Sequence, residues 1–526
     1  MPRYQIRSTA FYLQPGVCLI VTGSHTTELK SSRSINLLVT TTQTSQSRRR
    51  FLVSLIAASS ATWLGSPLPA QQPTKNNRAK MLVRPHSQQP LGTRTRMVLE
   101  LSGNLSVAEP DKTKKSSVRT AEVKATSTLD YEDLTVFDST QNLPAAAARQ
   151  YLEAKVETWI SGHSTSQSLR SECSAVKLTR HNGSWQQYCE SEPLTAREVE
   201  LLHSPINSIM IDQLLPAELV QANSKWKIDE KSCQELFGLD AVHQSSLEAE
   251  IAEAEKGVAT IKVSGTLDAS AHGVATQLTI SGNIQAQLAS AGAMVTWAGL
   301  VIKEVRSISE AEPGFEITAR IRIIRKEATD IEFTDAEQLQ AIAKQDDPAR
   351  WMLFVRSIPG RYQMLADRRW KTIIDSGDEA ILRLIENNKV MAQCNITRLP
   401  KLDAGRQLTL AGLQDDIRRS LDKNFGSFEE SSERVTVSGL RMARVVVVGS
   451  SSDVPVRWIY SHLSDDAGRR YSLVFTMSGA DAERFAASDD QMLSTFQILP
   501  DPTPSNQPTP APAQSAGVAI TEQTTR

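Results

Sequence analysis

The sequence predicts an α+β protein with two folded units. The first, over residues 96–327, is a curved antiparallel β-rich domain. The second, over 351–499, alternates strands with amphipathic helices. Three observations carry this expectation. Three strands share one ending: Val98-Leu-Glu-Leu-Ser-Gly-Asn-Leu105, Thr260-Ile-Lys-Val-Ser-Gly-Thr-Leu267 and Gln277-Leu-Thr-Ile-Ser-Gly-Asn-Ile284. Each alternates apolar and polar residues and then sets Ser-Gly inside the run, where glycine marks a bulge or bend. Phe315-Glu-Ile-Thr-Ala-Arg-Ile-Arg-Ile323 alternates cleanly, isoleucines to one side and charges to the other, as a half-buried strand does. Beyond a charged connector, 328–350, the pattern changes. A stripe of Leu410, Leu413, Ile417 and Leu421 at helical spacing precedes the valine run of Met442–Val448.

Upstream of both units, Ser47-Arg48-Arg49-Arg50-Phe51-Leu52 has the form of a bacterial twin-arginine export signal, read at Arg48, Arg49, Phe51 and Leu52. A mild apolar stretch from Phe51 to Ser66 follows, then Pro67-Leu68-Pro69-Ala70, with cleavage expected after Ala70. That stretch is too short and too polar for a stable membrane span, which needs about 20 apolar residues. Residues 1–46 are long for an export n-region, so translation is expected to start further downstream. The region after Ala70 carries 51 basic and 58 acidic residues, a formal charge of −7 against −1 for the whole chain. A mildly acidic protein argues against nucleic acid as a partner, since basic patches supply most of that affinity. No other segment is apolar enough to span a bilayer.

Residues 71–95 read as a flexible spacer, with ordered structure beginning at Met97. The segment 145–161 is ambiguous: its alanines favour helix, while Ala154, Val156, Thr158 and Ile160 alternate as a strand does. Thr195-Ala-Arg-Glu198 is a capping box, and Asp229 caps a second helix that stops at Gly238. Ser246–Glu253 turns through Glu255-Lys256-Gly257 into the next strand. In the second unit, hairpins turn at Asn387-Asn388 and at Asp465-Asp466-Ala467-Gly468. Capping boxes at Ser478–Asp481 and Ser488–Gln491 open two closing helices. The Pro- and Thr-rich tail from Pro500 cannot bury enough surface to fold.

In the second unit, Tyr362-Gln-Met-Leu-Ala-Asp-Arg-Arg-Trp370, Met391-Ala-Gln-Cys-Asn395, the long helix, the valine-rich strand and Tyr471-Ser-Leu-Val-Phe-Thr476 follow one another in an order that resembles the PsbP-like superfamily. The resemblance implies a compact α/β/α sandwich that binds other proteins and lacks catalytic residues. The first unit resembles uncharacterised secreted bacterial proteins with sheets like lipoprotein-carrier half-barrels, which implies no activity and no site residue.

Few residues suggest chemistry. No HExxH, Gly-x-Ser-x-Gly, P-loop or Gly-x-Gly-x-x-Gly occurs, and no Cys or His pair stands at zinc-ligand spacing. No catalytic, metal or cofactor residue is therefore assigned, and no cofactor is expected. Cys173 and Cys189 flank a hairpin turning at Asn182-Gly183, and an oxidising compartment favours a bridge between them. Register counting sets Cys189 opposite Val176, so that bridge needs a bulge or frayed end, and Cys233 competes as partner. Cys394 reads as a small buried hydrophobe and His462 as a half-buried sheet residue. Asp465-Asp466 and Asp489-Asp490 read as turn and capping acids. Trp226, Trp297, Trp370 and Trp458 read as core.

These features suggest an exported, non-enzymatic protein of the periplasm or cell envelope that binds a protein partner. A carrier of an apolar ligand in the curved sheet is the alternative, and a secreted hydrolase the third reading. The export signal is directly testable. Lysine keeps the charge of arginine but loses its planar fork. Arg48→Lys with Arg49→Lys should strand the precursor in the cytoplasm, while Arg50→Lys is tolerated. N-terminal sequencing should place the mature start near Gln71; normal export of the double variant sinks the assignment.

Overall fold

The computed structural model describes residues 9–13, 17–21, 89–109, 117–138, 143–221, 224–289, 292–345, 347–403 and 405–501. The export signal at Arg48, Arg49, Phe51 and Leu52, the cleavage point after Ala70, most of the spacer and the tail after 501 lie outside these residues. Strands β1 (Thr9–Leu13) and β2 (Val17–Val21) pair antiparallel with each other.

The first unit is one antiparallel sheet of 13 strands. They are β3 (Leu91–Glu109), β4 (Ser117–Phe137), β5 (Pro144–Ile160), β6 (His163–Ser168), β7 (Ala175–His181), β8 (Ser184–Tyr188) and β9 (Lys225–Lys227), then β10 (Ala241–Ser245), β11 (Glu248–Glu255), β12 (Val258–Ala271), β13 (Val274–Ala289), β14 (Gly292–Arg306) and β15 (Gly314–Glu327). The order is β8-β7-β5-β4-β3-β15-β14-β13-β12-β11-β9, with β6 on β5 and β10 on β12. The sheet is open: β8 and β9 end it and do not meet. Along β15, Ile317, Ala319, Ile321 and Ile323 are buried on the inner face while Arg320 and Arg322 are exposed, the alternation expected of it. The ambiguous segment is strand β5, because pairing with β4 and β7 overrides the helix preference of its alanines. β3 begins at Leu91, earlier than expected. Arg94 ties it to Asp130 (2.8 Å) and Glu132 (3.2 Å) on the outer face of β4.

The repeated Ser-Gly marks close approach of neighbouring backbones. A Cβ on Gly103 would stand 2.1 Å from Glu316 O on β15, and one on Gly282 2.1 Å from Gly299 O on β14. No side chain fits at either place. The two glycines pair with Ile317 and Leu300 respectively, both buried on the inner face.

Between β8 and β10 the chain leaves the sheet and lies across its inner face, rejoining the edge only through β9. This insertion holds α1 (Ala196–Leu202), a 3₁₀ segment (Ser208–Leu214) and α2 (Glu230–Phe237). Thr195 and Glu198 form the expected capping box, and Asp229 caps α2, which ends at Gly238 with φ 64°. Leu194, Leu201, Ile206, Met210, Leu214 and Leu236 share one core with Tyr131, Ile261, Ile280, Ala298 and Ile321 of the sheet.

Helix α3 (Ala336–Ile342) lies against β4 and β5, and Asp347 caps a 3₁₀ turn at Pro348–Trp351. The second unit holds a three-stranded sheet, β16 (Leu353–Ser357), β17 (Tyr362–Ala366) and β25 (Gln497–Ile498). Its seven-stranded antiparallel sheet is formed by β18 (Trp370–Asp375), β19 (Glu379–Glu386), β20 (Lys389–Leu399), β24 (Arg470–Ser478), β23 (Val454–Ser464), β22 (Arg441–Ser451) and β21 (Phe425–Val435), in that order. Asn387 and Asn388 turn the β19–β20 hairpin at φ 47° and 63°.

The expected α+β class with an α/β/α sandwich does not hold: the described residues are mostly strand, in large antiparallel sheets. One face of the seven-stranded sheet carries a single helix, α4 (Leu410–Leu421). Its Leu413, Ile417 and Leu421 pack on Ala443, Val445, Val447 and Trp458. The other face is covered by β16, β17 and β25 and two short helices, α5 (Ala482–Phe485) and α6 (Ser488–Thr495). The sequence signals for those helices mark starts, not lengths. Ala486, at φ 45°, stops α5 after four residues, and Ser488 bonds Phe485 O instead of capping α6.

Because the glycine contacts are with backbone, relief would require moving a strand. Gly282→Val should destabilise the protein by about 2–4 kcal/mol, as overpacking and backbone strain do together. Denaturant unfolding checks this; a loss below about 0.5 kcal/mol would mean that the two strands are not held so close.

Candidate functional site

The inner face changes character along its length. At one end, the phase that elsewhere carries apolar side chains carries Thr93 and Thr95 of β3, Asp133 of β4, Arg149 of β5 and Arg325 of β15, all buried. The 3₁₀ segment of the insertion lands on them. Arg149 Nη2 donates to Ser208 Oγ (2.7 Å), which is also hydrogen-bonded to the Tyr131 hydroxyl (2.7 Å). The Arg149 guanidinium lies 4.4 Å over the Tyr131 ring, and its Nε is 3.7 Å from Asp133 Oδ2. Thr93 donates to the other Asp133 oxygen. One step along, Arg325 Nη1 donates to Asp212 Oδ1 (3.0 Å), Oδ2 (3.1 Å) and Val295 O (3.2 Å), and Val295 N donates to Asp212 Oδ1 (2.8 Å).

Two buried arginines are balanced here by two aspartates, Asp133 and Asp212. Burial pushes the Tyr131 hydroxyl up to about 12, and it raises that of Tyr151. Burial by itself would lower Arg149, but Tyr131, Tyr151 and Asp133 outweigh it and hold the guanidinium charged; Asp212 and Asp133 do the same for Arg325. Among the described residues, the Ser208 hydroxyl is held by Arg149 and Tyr131. The group locks the insertion to the sheet.

At the opposite end of the inner face the side chains are apolar. Leu101, Leu105, Val123, Ala125, Ile160, Phe315 and Ile317 form a cluster of sheet residues with no member from the insertion. Beside it lies a second buried polar group. Glu304 Oε1 accepts from Thr276 Oγ1 (2.9 Å) and Arg306 Nη2 (2.8 Å), and Arg306 stacks 4.8 Å over Phe315. Burial raises the Glu304 carboxyl against the pull of Arg306.

The residues singled out from the sequence are placed as follows. His462 is buried, more deeply than expected, and burial next to Arg470 and Arg441 pushes it down to about 4. Cys394 is fully buried in the second core. Trp370 and Trp458 are core, Trp226 donates to Leu214 O, and the Trp297 ring covers Gly299. Asp465 accepts from Arg469 within its turn, and Asp489 is buried on Arg444 (2.7 Å). Cys173 and Cys189 carry free thiols, both buried. Among the described residues, no group of three His, Cys, Asp or Glu is placed to hold a metal ion. The two polar groups were missed. Their signal is a charge on the apolar phase of an alternating strand: Asp133 after Leu129 and Tyr131, Arg325 after Ile321 and Ile323, Glu304 after Leu300 and Ile302.

Arg149→Met removes one side of a buried pair and strands the Asp133 charge, so unfolding experiments should show a loss of about 3–5 kcal/mol. Adding Asp133→Leu should recover most of that loss. If the single and double variants are equally unstable, Asp133 and Arg149 are not coupled.

No protein-family model matches the chain, and no curated protein matches it. Among solved structures, the chain is similar to a protein of Bacteroides thetaiotaomicron at 13% identity, over 28% of this chain and 48% of that one, with a TM-score of 0.20. It is similar to lipovitellin, described for its lipid–protein interactions, at 10% identity over 47% of this chain and 27% of that one, TM-score 0.26. It is also similar to the Pseudomonas aeruginosa protein OccK5 (OpdH) at 8% identity over 73% and 98%, TM-score 0.11. The chain thus spans about half the length of the first and about a quarter of the second. Likenesses this weak assign this chain neither a fold nor a function.

Proposed function

We propose that this is an exported, non-enzymatic binding protein of the cell envelope whose first unit carries an apolar ligand on the inner face of its sheet. The observation that carries this reading is the apolar cluster of Leu101, Leu105, Val123, Ala125, Ile160, Phe315 and Ile317, built from the sheet alone at the end away from the polar lock. These side chains are 0–8% exposed, so an acyl chain reaches them only as the inner layer opens, and each methylene it then buries contributes roughly 0.8 kcal/mol. The insertion occupies the middle of the same face, so a long chain enters as the insertion shifts while the lock holds its far end. Envelope placement rests on the twin-arginine motif at Arg48 and Arg49.

A second reading, a protein partner, is supported by strand β21. It ends the seven-stranded sheet, and Val435 and Val437 beside it are 69% and 96% exposed. An unpaired edge of this kind accepts an added strand from another chain.

Native mass spectrometry of the mature protein, purified without detergent, separates the two. A carrier retains lipid-sized adducts, and Ala125→Trp, which fills the cluster, removes them without unfolding the protein. A clean apo mass after incubation with phospholipid vesicles sinks the carrier reading. A stoichiometric protein recovered from envelope extract, and lost on Val435→Lys, supports the second.

A further inference from the structure

Cys173 ends a 3₁₀ turn (Ser171–Cys173) just before β7, and Cys189 follows β8 where the insertion begins. Strand pairing ends with Lys177 opposite Tyr188, so neither cysteine is a paired strand residue. The two segments then cross. Cys189 Sγ lies 3.5 Å from Glu172 O, and Cys173 Sγ lies 3.7 Å from Glu192 O. Ser191 Oγ, 3.0 Å from Cys189 Sγ, bonds Glu172 O as well. Each thiol therefore reaches the backbone of the other's segment. The crossing supplies the frayed end that a bridge requires. The exposures of the two cysteines are 0% and 8%, and both belong to one apolar core. Of the other cysteines with described side chains, Cys233 shares that core but reaches Ile228 O (3.8 Å) and Ser245 Oγ (4.0 Å), and Cys394 is in the core of the second unit.

We infer that Cys173 and Cys189 are an oxidation site that closes to a disulfide and fastens the first hinge of the insertion to the sheet. Two thiols lose two protons and two electrons as the Sγ–Sγ bond forms. The oxidant is a disulfide, either oxidised glutathione or a dithiol oxidoreductase, and is reduced to two thiols. Burial, with Cys189 alongside, pushes Cys173 up to about 12, so the folded thiol is a poor nucleophile and closure belongs to folding. The hinge is braced from the same side by Arg170, which donates to Glu198 (2.6 and 2.9 Å), Glu192 (2.7 Å) and Pro193 O (3.0 Å). With this end fastened and the polar lock in place, the insertion shifts between the two rather than detaching. That hinge role rests on the carrier reading; the bridge itself does not.

The test is oxidative refolding of the full chain with a glutathione couple, alkylation under denaturing conditions and tryptic mapping without reductant. Cleavage at Arg170, Lys177, Arg180 and Arg197 separates the two cysteines. Closure therefore yields a linked pair, Ser171–Lys177 with His181–Arg197, about 2 Da lighter than the sum of the free peptides. Cys233→Ser should leave that pair intact. Reductant, or Cys173→Ser, should lower Tm by about 6–12 °C, the scale for a loop of this length in a domain of this size. Alkylation of both thiols in the refolded chain, or linkage of either to Cys233, overturns the inference. Lipid adducts missing from a protein that carries the linked pair count against the carrier reading alone. Refolding in vitro keeps the result independent of export.

Discussion

An open sheet that is apolar on one face must have that face covered, and the architecture of the first unit follows from this. The strands from β3 to β15 send alternate side chains inward, and with β8 and β9 apart the sheet cannot close on itself. The insertion is the cover. Its Leu194, Ile206, Met210, Ile211 and Leu214 are almost fully buried, each contributing roughly 1.5–3 kcal/mol. These apolar contacts hold the insertion down, whereas the polar lock decides where it sits. Apolar packing tolerates sliding, but Arg149 and Arg325 have good partners in one register only. A displaced insertion would part Arg325 from Asp212 and take Ser208 from Arg149 and Tyr131, and a buried guanidinium left without its carboxylate costs more than any one apolar contact supplies.

Much of the sheet was legible because its signals are local. The alternation of Phe315–Ile323, the turns at Asn182-Gly183 and Asn387-Asn388, and the caps at Thr195 and Asp229 each depend on a few neighbouring residues. The Ser-Gly motif was legible as a special position, though its cause lies in the opposite strand, where Glu316 O and Gly299 O leave no room for a Cβ. What could not be read depends on distant partners. Arg149, between Ala148 and Gln150, looks like an ordinary charge until Tyr131, Asp133 and Ser208 surround it. The cover of the second sheet was misjudged for the same reason. The apolar stripe of α4 and the capping residues near 478–491 announce helices, but a strand as short as Gln497–Ile498 gives no periodic signal, and it helps to close the opposite face.

The junction between the two units has a further consequence. Strand β8 ends the large sheet, and an unpaired edge is a template on which other chains can add. Here the second unit occupies it. Arg368 donates to Gln187 O on the edge itself, to Gln186 Oε1 (2.9 Å) and to Trp351 O (3.0 Å). Trp351 stacks on His181 at 4.7 Å and meets Tyr188 edge-on at 5.4 Å. Burial pushes the Arg368 guanidinium down to about 10, and its three hydrogen-bond acceptors are all uncharged. Cutting the connector and parting the two halves would bare this edge of β8, where Gln187 O now accepts from Arg368.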